Sequence, residues 1–187
     1  MPAAPLPSNE QERLEALRSY VCLNGERDAW SDQIALSAAA VAGCPIGLIS
    51  IVDNDEQWFK GRQGLAVDGT PRDVAFCAHA ILSDEVFIIE DALEDERFAT
   101  NPLVLDGPRI RFYAGVPLID SRGFAIGTLC VIHTQPHSLS ATQLDGLQAL
   151  ADLTLQHLSM SNRVMNAETQ QSLLRDEVMK REAIESE

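Results

Sequence analysis

The fold of this chain is decided by residues 110–133, IRFYAGVPLIDSRGFAIGTLCVIH. Two apolar runs, Ile110 to Ile119 and Phe124 to His133, flank a polar turn at residues 120–123 that contains a glycine. Short apolar runs on either side of such a turn are typical of a β-hairpin. The stretch therefore predicts two neighbouring antiparallel strands.

A second hairpin is predicted upstream, at residues 46–63. Ile46 to Val52 is rich in β-branched residues, residues 53–56 have the composition of a turn, and Gln57 to Gln63 returns. Residues 64–72 are predicted to be a loop, because they hold two glycines and a proline. A further strand is predicted at residues 86–90.

Helical segments are predicted at residues 8–21, 28–43, 73–82, 91–98 and from residue 140 to the end of the chain. Most of them open with a residue that favours a helix N-terminus, and Gly43 is a typical C-terminal stop. The capping residues are Ser8, Asp28, Asp73 and Ser140. Hairpins with helices that cover one face predict an α+β fold of five or six antiparallel strands, and the loops between residues 64 and 108 are placed to roof a pocket on the other face.

The charge and the composition exclude several classes of protein. The net charge is −14, so the surface repels the phosphates of nucleic acids, and we expect no nucleic-acid partner. Apolar residues make up 45% of the chain, which is enough for a core. Gln33 to Val52 carries no charge, but residues 43–45 (Gly-Cys-Pro) interrupt it, so a helix followed by a strand is predicted instead of a membrane span.

The four cysteines are widely spaced and form no C-x-x-C pair. Their spacing fits neither a zinc ribbon nor a disulfide framework, and we expect no metal site. The N-terminus also lacks the basic and apolar regions of a secretory signal. A cytoplasmic location is therefore expected. The cysteines are Cys22, Cys44, Cys77 and Cys130.

An ordered set of short segments extends over residues 28–158. The segments are PIGLISIVD (45–53), QWFK (57–60), TPRD (70–73), FCAHAI (76–81), DA (91–92), RF (97–98), NPLV (101–104), IRFYAGVPL (110–118) and GTLCVI (127–132). In order and spacing this set resembles the GAF family, and most of all the bacterial GAF domains that precede histidine kinases and diguanylate cyclases.

The resemblance implies a six-stranded antiparallel sheet with helices on one face and a ligand pocket on the other. It also implies a non-catalytic sensor that forms a parallel homodimer and signals through a C-terminal helix to a histidine kinase or diguanylate cyclase output domain. The ligand and any cofactor stay unidentified, because members of the family bind cyclic nucleotides, bilins, haem, nitrate and other small molecules.

Five residues are candidates for the ligand pocket: Trp58, Arg72, Cys77, His79 and Tyr113. Each also has a structural interpretation. Cys77 and His79 are either buried structural residues or a redox handle and a polar contact. Arg72 either clamps an anionic ligand or pairs with an acidic neighbour, and Trp58 either lines the pocket or fills the core. Tyr113 alternates with Phe112 on its strand, and we expect Phe112 to face the core.

Two alternatives to a sensor are kept open. Some GAF proteins reduce free methionine sulfoxide through cysteines, although the cysteines here do not follow that pattern, and the chain could serve as a purely structural dimerisation module. The sequence contains no G-x-S-x-G, H-E-x-x-H or phosphate-binding loop, so no catalytic residue is predicted.

The C-terminal residues have a heptad spacing that is typical of a coiled coil. The seam is Met160, Val164, Ala167, Gln171, Leu174, Val178 and Arg181. A single helix folded back on the sheet is the alternative, and it fits residues 144–158. Because the pattern is still running at residues 184–187, we interpret the chain as a fragment cut within a helix. The expected division is a tail and helix (1–22), a GAF sensor domain (23–159) and a linker helix (160–187).

Overall fold

The computed structural model describes the backbone of residues 2–185 and the side chains of residues 2–181. Within this part, the helices are α1 (Glu10–Arg18), α2 (Ala29–Ala42), α3 (Phe76–Ala80), α4 (Pro102–Leu105) and α5 (Ala141–Glu185), and a 3-10 turn (Arg72–Val74) precedes α3. The strands are β1 (Ile46–Val52), β2 (Glu56–Gln63), β3 (Gly69–Pro71), β4 (Phe87–Ile89), β5 (Phe112–Ile119) and β6 (Ala125–His133). The last two residues of the predicted helical pattern, 186 and 187, lie outside the described residues.

The six strands form one antiparallel sheet in the order β3-β2-β1-β6-β5-β4. One face of the sheet packs against α1, α2 and the first part of α5, and the other face packs against α3 and α4. The predicted six-stranded antiparallel sheet with flanking helices and a long C-terminal helix is confirmed.

The strand β5 is buried on both of its faces. Phe112 belongs to the core beneath the helices, as predicted, and Tyr113 belongs to the core on the opposite face. Both side chains are completely buried. The side of the sheet away from the long helices is therefore a second apolar layer.

The helix α2 lies directly on the backbone of β1 and β2. A Cβ atom added to Gly61 would stand 2.2 Å from the carbonyl oxygen of Ser31, and one added to Gly47 would stand 2.1 Å from that of Ala35. Only glycine permits so close an approach. The helix begins and ends as predicted: Asp28 accepts a 2.7 Å hydrogen bond from the Ser31 amide, and Gly43 has a φ of 66°.

Four local predictions are wrong, and one of them is the helical segment at residues 91–98, where the chain forms turns instead of a helix. The first helix begins after Asn9 without a side-chain cap and ends at Arg18, so Val21 lies beyond it. The predicted loop at residues 64–72 contains β3, which is too short to be read from its composition and forms only because β2 offers it a partner edge. Asp73 does not cap a helix, because it lies inside the 3-10 turn, and α3 starts at Phe76.

Candidate functional site

A partly open cavity of about 260 Å³ lies between the sheet and the segments that follow β3 and α4. Most of its lining is apolar, and Gln57 and Thr70 supply polar atoms. The lining residues are Leu48, Gln57, Phe59, Leu65, Val67, Gly69, Thr70, Pro71, Val74, Phe76, Cys77, Leu103, Gly107, Pro108, Ile110, Tyr113 and Ile132. The volume suits a small ligand, since it is below the range of about 300–1,000 Å³ that is usual for drug-sized ligands.

Two of the predicted candidates, Cys77 and Tyr113, line this cavity and contact each other. The Tyr113 hydroxyl donates a hydrogen bond to the Cys77 sulfur over 3.2 Å. Gly115 makes this arrangement possible, because a Cβ atom there would stand 2.3 Å from the Tyr113 hydroxyl oxygen. The phenol can therefore lie along its own strand and reach α3.

A second sulfur lies behind the first. The Sγ atom of Cys130, on β6, is 3.9 Å from the Sγ atom of Cys77. Burial works against ionisation of Cys77, but hydrogen bonds to its sulfur, from Cys130 and from the Tyr113 hydroxyl, outweigh it and lower the pKa of this thiol. The same contact with Cys77, together with burial, raises the pKa of Cys130 well above its usual value. Of the two thiols, Cys77 is the one that ionises first.

A chain of hydrogen bonds crosses the floor of the cavity. Ser50 donates to the Gln57 amide oxygen over 2.9 Å, and the Gln57 amide nitrogen donates to the Thr70 hydroxyl over 2.8 Å. These bonds hold β3 against β2 and fix the orientation of the Gln57 amide. Beside them, the buried Thr128 hydroxyl has no hydrogen-bond partner among the described residues. Of these polar side chains, Gln57 and Thr70 line the cavity and can orient a polar group of a ligand.

The other three candidates lie away from the cavity. His79 packs its ring against Phe98 at a centroid distance of 4.8 Å, and burial lowers its pKa. Trp58 packs toward the core beneath the helices and borders an open acidic groove at the sheet edge. Arg72 forms an ion pair with Glu10. The structure therefore groups only Cys77 and Tyr113, and a ligand-binding role for any of the five stays a prediction.

The site contains residues that sequence reasoning missed, above all Cys130 and Gln57. Cys130 pairs with Gly115 across β5 and β6, and facing residues of a hairpin share a side of the sheet. A slip of one residue in the pairing, between Leu118 and Ile119, changes which residues of β6 face the cavity. The hairpin signal was visible in the sequence, but this bulge was not.

Two absences hold for the part of the chain that the structure describes. No cluster of three or more histidine, cysteine or acidic side chains is placed to hold a metal ion. No helix in this part is long and apolar enough to cross a membrane.

Comparisons with known proteins identify the family. The sequence model of the GAF domain family matches residues 26–158. A cyclic di-GMP phosphodiesterase of Pseudomonas aeruginosa is 42% identical over 136 residues, which are 73% of this chain but only 23% of that protein. The chain thus spans about a quarter of that relative's length.

Solved structures share the fold at low sequence identity. The GAF domain of an Acinetobacter phosphoenolpyruvate-protein phosphotransferase aligns with a TM-score of 0.59 and 20% identity, over 83% of this chain and 98% of that one. A free methionine-R-sulfoxide reductase from Neisseria meningitidis aligns with a TM-score of 0.56 and 20% identity, over 88% and 99%. From the family model and this shared architecture, the chain belongs to the GAF domain family.

Proposed function

We propose that this chain is a regulatory GAF domain that binds a small ligand in the cavity. Binding of the ligand would then be signalled to an output domain. The observation that carries the proposal is the cavity itself, which is partly open and largely apolar in its lining. It is formed on the sheet face away from α2 and α5, and its walls include residues 65 and 67 of one loop and residues 107, 108 and 110 of another.

The lining indicates the chemistry of the ligand. Leu48, Phe59 and Ile110 offer apolar surface, and the Gln57 amide and the Thr70 hydroxyl offer hydrogen bonds. Among the described residues that line the cavity, none is a lysine, arginine, histidine, aspartate or glutamate. A small, largely uncharged molecule fits this lining, whereas a cyclic dinucleotide, with two phosphates, would find no cation to pair with.

Contacts at the rim of the sheet provide a route for the signal. Arg72 joins the cavity wall to Glu10 of α1. Just after α1, the carbonyl oxygen of Ser19 accepts a hydrogen bond from the Asn162 side chain of α5 over 3.2 Å, and the Cys22 thiol donates to the carbonyl oxygen of Leu158 over 3.5 Å. A shift of the cavity wall can thus reach α5 through α1.

The relative from Pseudomonas supports a role in cyclic di-GMP signalling. That protein is named as a cyclic di-GMP phosphodiesterase, and this chain matches only a quarter of it. We therefore propose that the output domain makes or degrades cyclic di-GMP, while a histidine kinase, expected from the sequence, is the other candidate. A parallel homodimer through residues 160–181 would place two output domains side by side.

Native mass spectrometry of the purified chain tests the proposal, with the small apolar molecule indole as an added probe. Val67, half exposed at the cavity, is changed to Arg, and Leu105, which is equally exposed but lines no part of the cavity, is changed to Arg as the control. We expect a ligand carried over from the cell, or saturable binding of indole, in the wild type and in L105R but not in V67R. If all three chains are free of ligand and none binds indole, the proposed binding function is contradicted.

The second candidate function is reduction of free methionine sulfoxide. The thiol pair beside the cavity and the shared fold with the Neisseria enzyme favour it. The uncharged lining argues against it, because the amino and carboxylate groups of a free amino acid need partners. Consumption of free methionine-R-sulfoxide by the wild type but not by C77S would favour this second candidate.

A further inference from the structure

The two sulfurs on the cavity face differ in their access to the cavity. Cys77 is one of the lining residues, whereas Cys130 lies behind it at a sulfur–sulfur distance of 3.9 Å. A small molecule in the cavity therefore meets the Cys77 thiol first. Both cysteines are free thiols in this structure.

We propose that the cavity admits small uncharged hydroperoxides and that these oxidise Cys77 and Cys130 to a reversible disulfide. The proposal goes beyond the regulatory function above and does not depend on it, because the oxidation requires only the cavity and the two thiols. In this proposal the cavity binds an oxidant, and the result is a covalent bond between two cysteines of the chain.

The reaction proceeds in two steps. The Cys77 thiol loses its proton, and the thiolate attacks the terminal oxygen of the hydroperoxide. The O–O bond breaks, the alkoxide takes up the proton that Cys77 lost and leaves as the alcohol, and Cys77 becomes a sulfenic acid. The Cys130 sulfur then attacks the Cys77 sulfur, the S–O bond breaks, and the hydroxide takes the Cys130 proton and leaves as water. The hydroperoxide is reduced by two electrons, and the two thiols are oxidised by two electrons.

The surroundings of Cys77 suit the attacking role. The Tyr113 hydroxyl donates to its sulfur over 3.2 Å, which stabilises the thiolate, and the thiolate is the nucleophilic form of cysteine. The apolar lining, in turn, favours an uncharged oxidant over an anionic one. Tyr113 is a positioning residue in this scheme, since it acts through the sulfur.

The geometry requires a small movement to close the bond. A disulfide has a sulfur–sulfur distance of about 2.05 Å, so the two atoms must approach each other by about 2 Å. Cys77 lies on α3, a helix of five residues that follows a 3-10 turn, whereas Cys130 lies in the middle of β6. The approach would draw α3 toward the sheet and change the shape of the cavity.

The two remaining cysteines serve as internal controls. Cys22 and Cys44 are buried like the pair, but they direct their thiols to main-chain carbonyl oxygens and line no part of the cavity. Burial raises the pKa of both thiols. They should stay reduced while the pair is oxidised.

Mass spectrometry of the folded, reduced chain after exposure to tert-butyl hydroperoxide tests the proposal. We expect the intact mass to fall by two hydrogens, the peptides that contain Cys77 and Cys130 to be crosslinked, and Cys22 and Cys44 to remain open to alkylation after unfolding. A dithiol reductant should restore the mass. In C130S the reaction should stop at a sulfenic acid on Cys77, trapped by dimedone, and in Y113F oxidation should be about tenfold slower, because a smaller fraction of Cys77 is ionised.

Either of two results would overturn the proposal. One is a folded wild-type chain whose mass is unchanged by the hydroperoxide while the urea-unfolded chain reacts. The other is a crosslink that involves Cys22 or Cys44. Because the central measurement uses the unmodified chain, it stands even if a cysteine variant fails to fold. Failure of the ligand-binding test above would leave this measurement unaffected, so the two proposals are refuted separately.

Discussion

Arg72, between β3 and α3, forms an ion pair with Glu10 in the first turn of α1. The Glu10 carboxylate also accepts two hydrogen bonds from Arg13, over 2.8 and 2.9 Å, so one carboxylate serves two buried guanidinium groups. Pro71 and Val74, on either side of Arg72, line the cavity. The ion pair between Glu10 and Arg72 thus attaches α1 to the cavity wall.

Replacing Glu10 by Gln should destabilise the fold. The substitution leaves Arg13 and Arg72 buried without a countercharge, which is costly even though the amide can still accept a hydrogen bond. We expect a loss of about 3 kcal/mol in the free energy of unfolding, measured by urea denaturation. The control is E12Q, which makes the same change of charge on an exposed residue of α1. Equal stabilities of E10Q and E12Q would contradict the structural role of the pair.

The contribution of Glu10 should depend on pH. Burial alone works to raise its pKa, but hydrogen bonds from Arg13 and Arg72 outweigh this and lower it from 4.5 to about 2. As the pH falls, Glu10 is therefore protonated in the unfolded chain before it is protonated in the folded chain. The stabilisation is complete above about pH 4.5 and is lost as the pH falls toward 2. The melting temperatures of the wild type and of E10Q should converge as the pH falls over this range. A constant difference between them down to pH 2 would disprove it.

The contact of α2 with the sheet makes a prediction about Gly61. In G61A the new methyl group would stand 2.2 Å from the Ser31 carbonyl oxygen, which is backbone and cannot rotate away. We expect a loss of stability of about 2 kcal/mol or more by urea denaturation. G107A is the matched control, since a Cβ atom there meets nothing within 4 Å, and it should change the stability by less than about 0.5 kcal/mol. A G61A chain as stable as G107A would show that α2 is not held so closely.

Residues 160–181 of α5 should hold a homodimer. Four apolar side chains of the predicted seam, Met160, Val164, Leu174 and Val178, are each more than half exposed in the single chain. Pairing two helices would bury them. Light scattering should give a dimer for the full chain and a monomer for a chain that ends at Ser159. If both the full chain and the shortened chain are monomers, the dimer is refuted. If both are equally dimeric, another surface holds the dimer.

The chain should not reduce free methionine sulfoxide. The cavity offers the substrate's charged amino and carboxylate groups no ionic partner among the described lining residues. Consumption of free methionine-R-sulfoxide with dithiothreitol should therefore match that of the C77S variant, which lacks the thiol on the cavity. A wild-type rate clearly above the C77S rate would make the chain an enzyme.

Most of the architecture follows from local signals in the sequence. The cap at Asp28, the stop at Gly43 and the reciprocal hydrogen bonds between Ser140 and Gln143 are chemistry of single residues and their near neighbours, so they can be predicted without a fold. By contrast, β3 depends on an edge that only the folded sheet provides. Local chemistry thus predicts the helices and hairpins, and tertiary pairing decides the rest.

The site was less predictable than the fold, for a geometric reason. Alternation along β5 separates Phe112 from Tyr113, but it does not say which loop approaches which face. His79 follows Cys77 by two residues on α3 and therefore points elsewhere, as the helical period requires. The contact of Cys77 with Cys130 spans 53 residues and passes through a bulged hairpin. No pattern along the chain encodes it.

Burial of β5 and β6 on both faces has a consequence for the unfolded chain. Without the layers that cover it, β6 is a charge-free apolar segment of high β-propensity, which is the composition of aggregation-prone stretches. Charged residues and prolines surround or interrupt the two strands, and such residues act as gatekeepers against intermolecular pairing. They are Arg109, Arg111, Pro117, Asp120, Arg122 and Pro136. We therefore expect these residues to hinder pairing between newly made chains until the helices have covered the sheet.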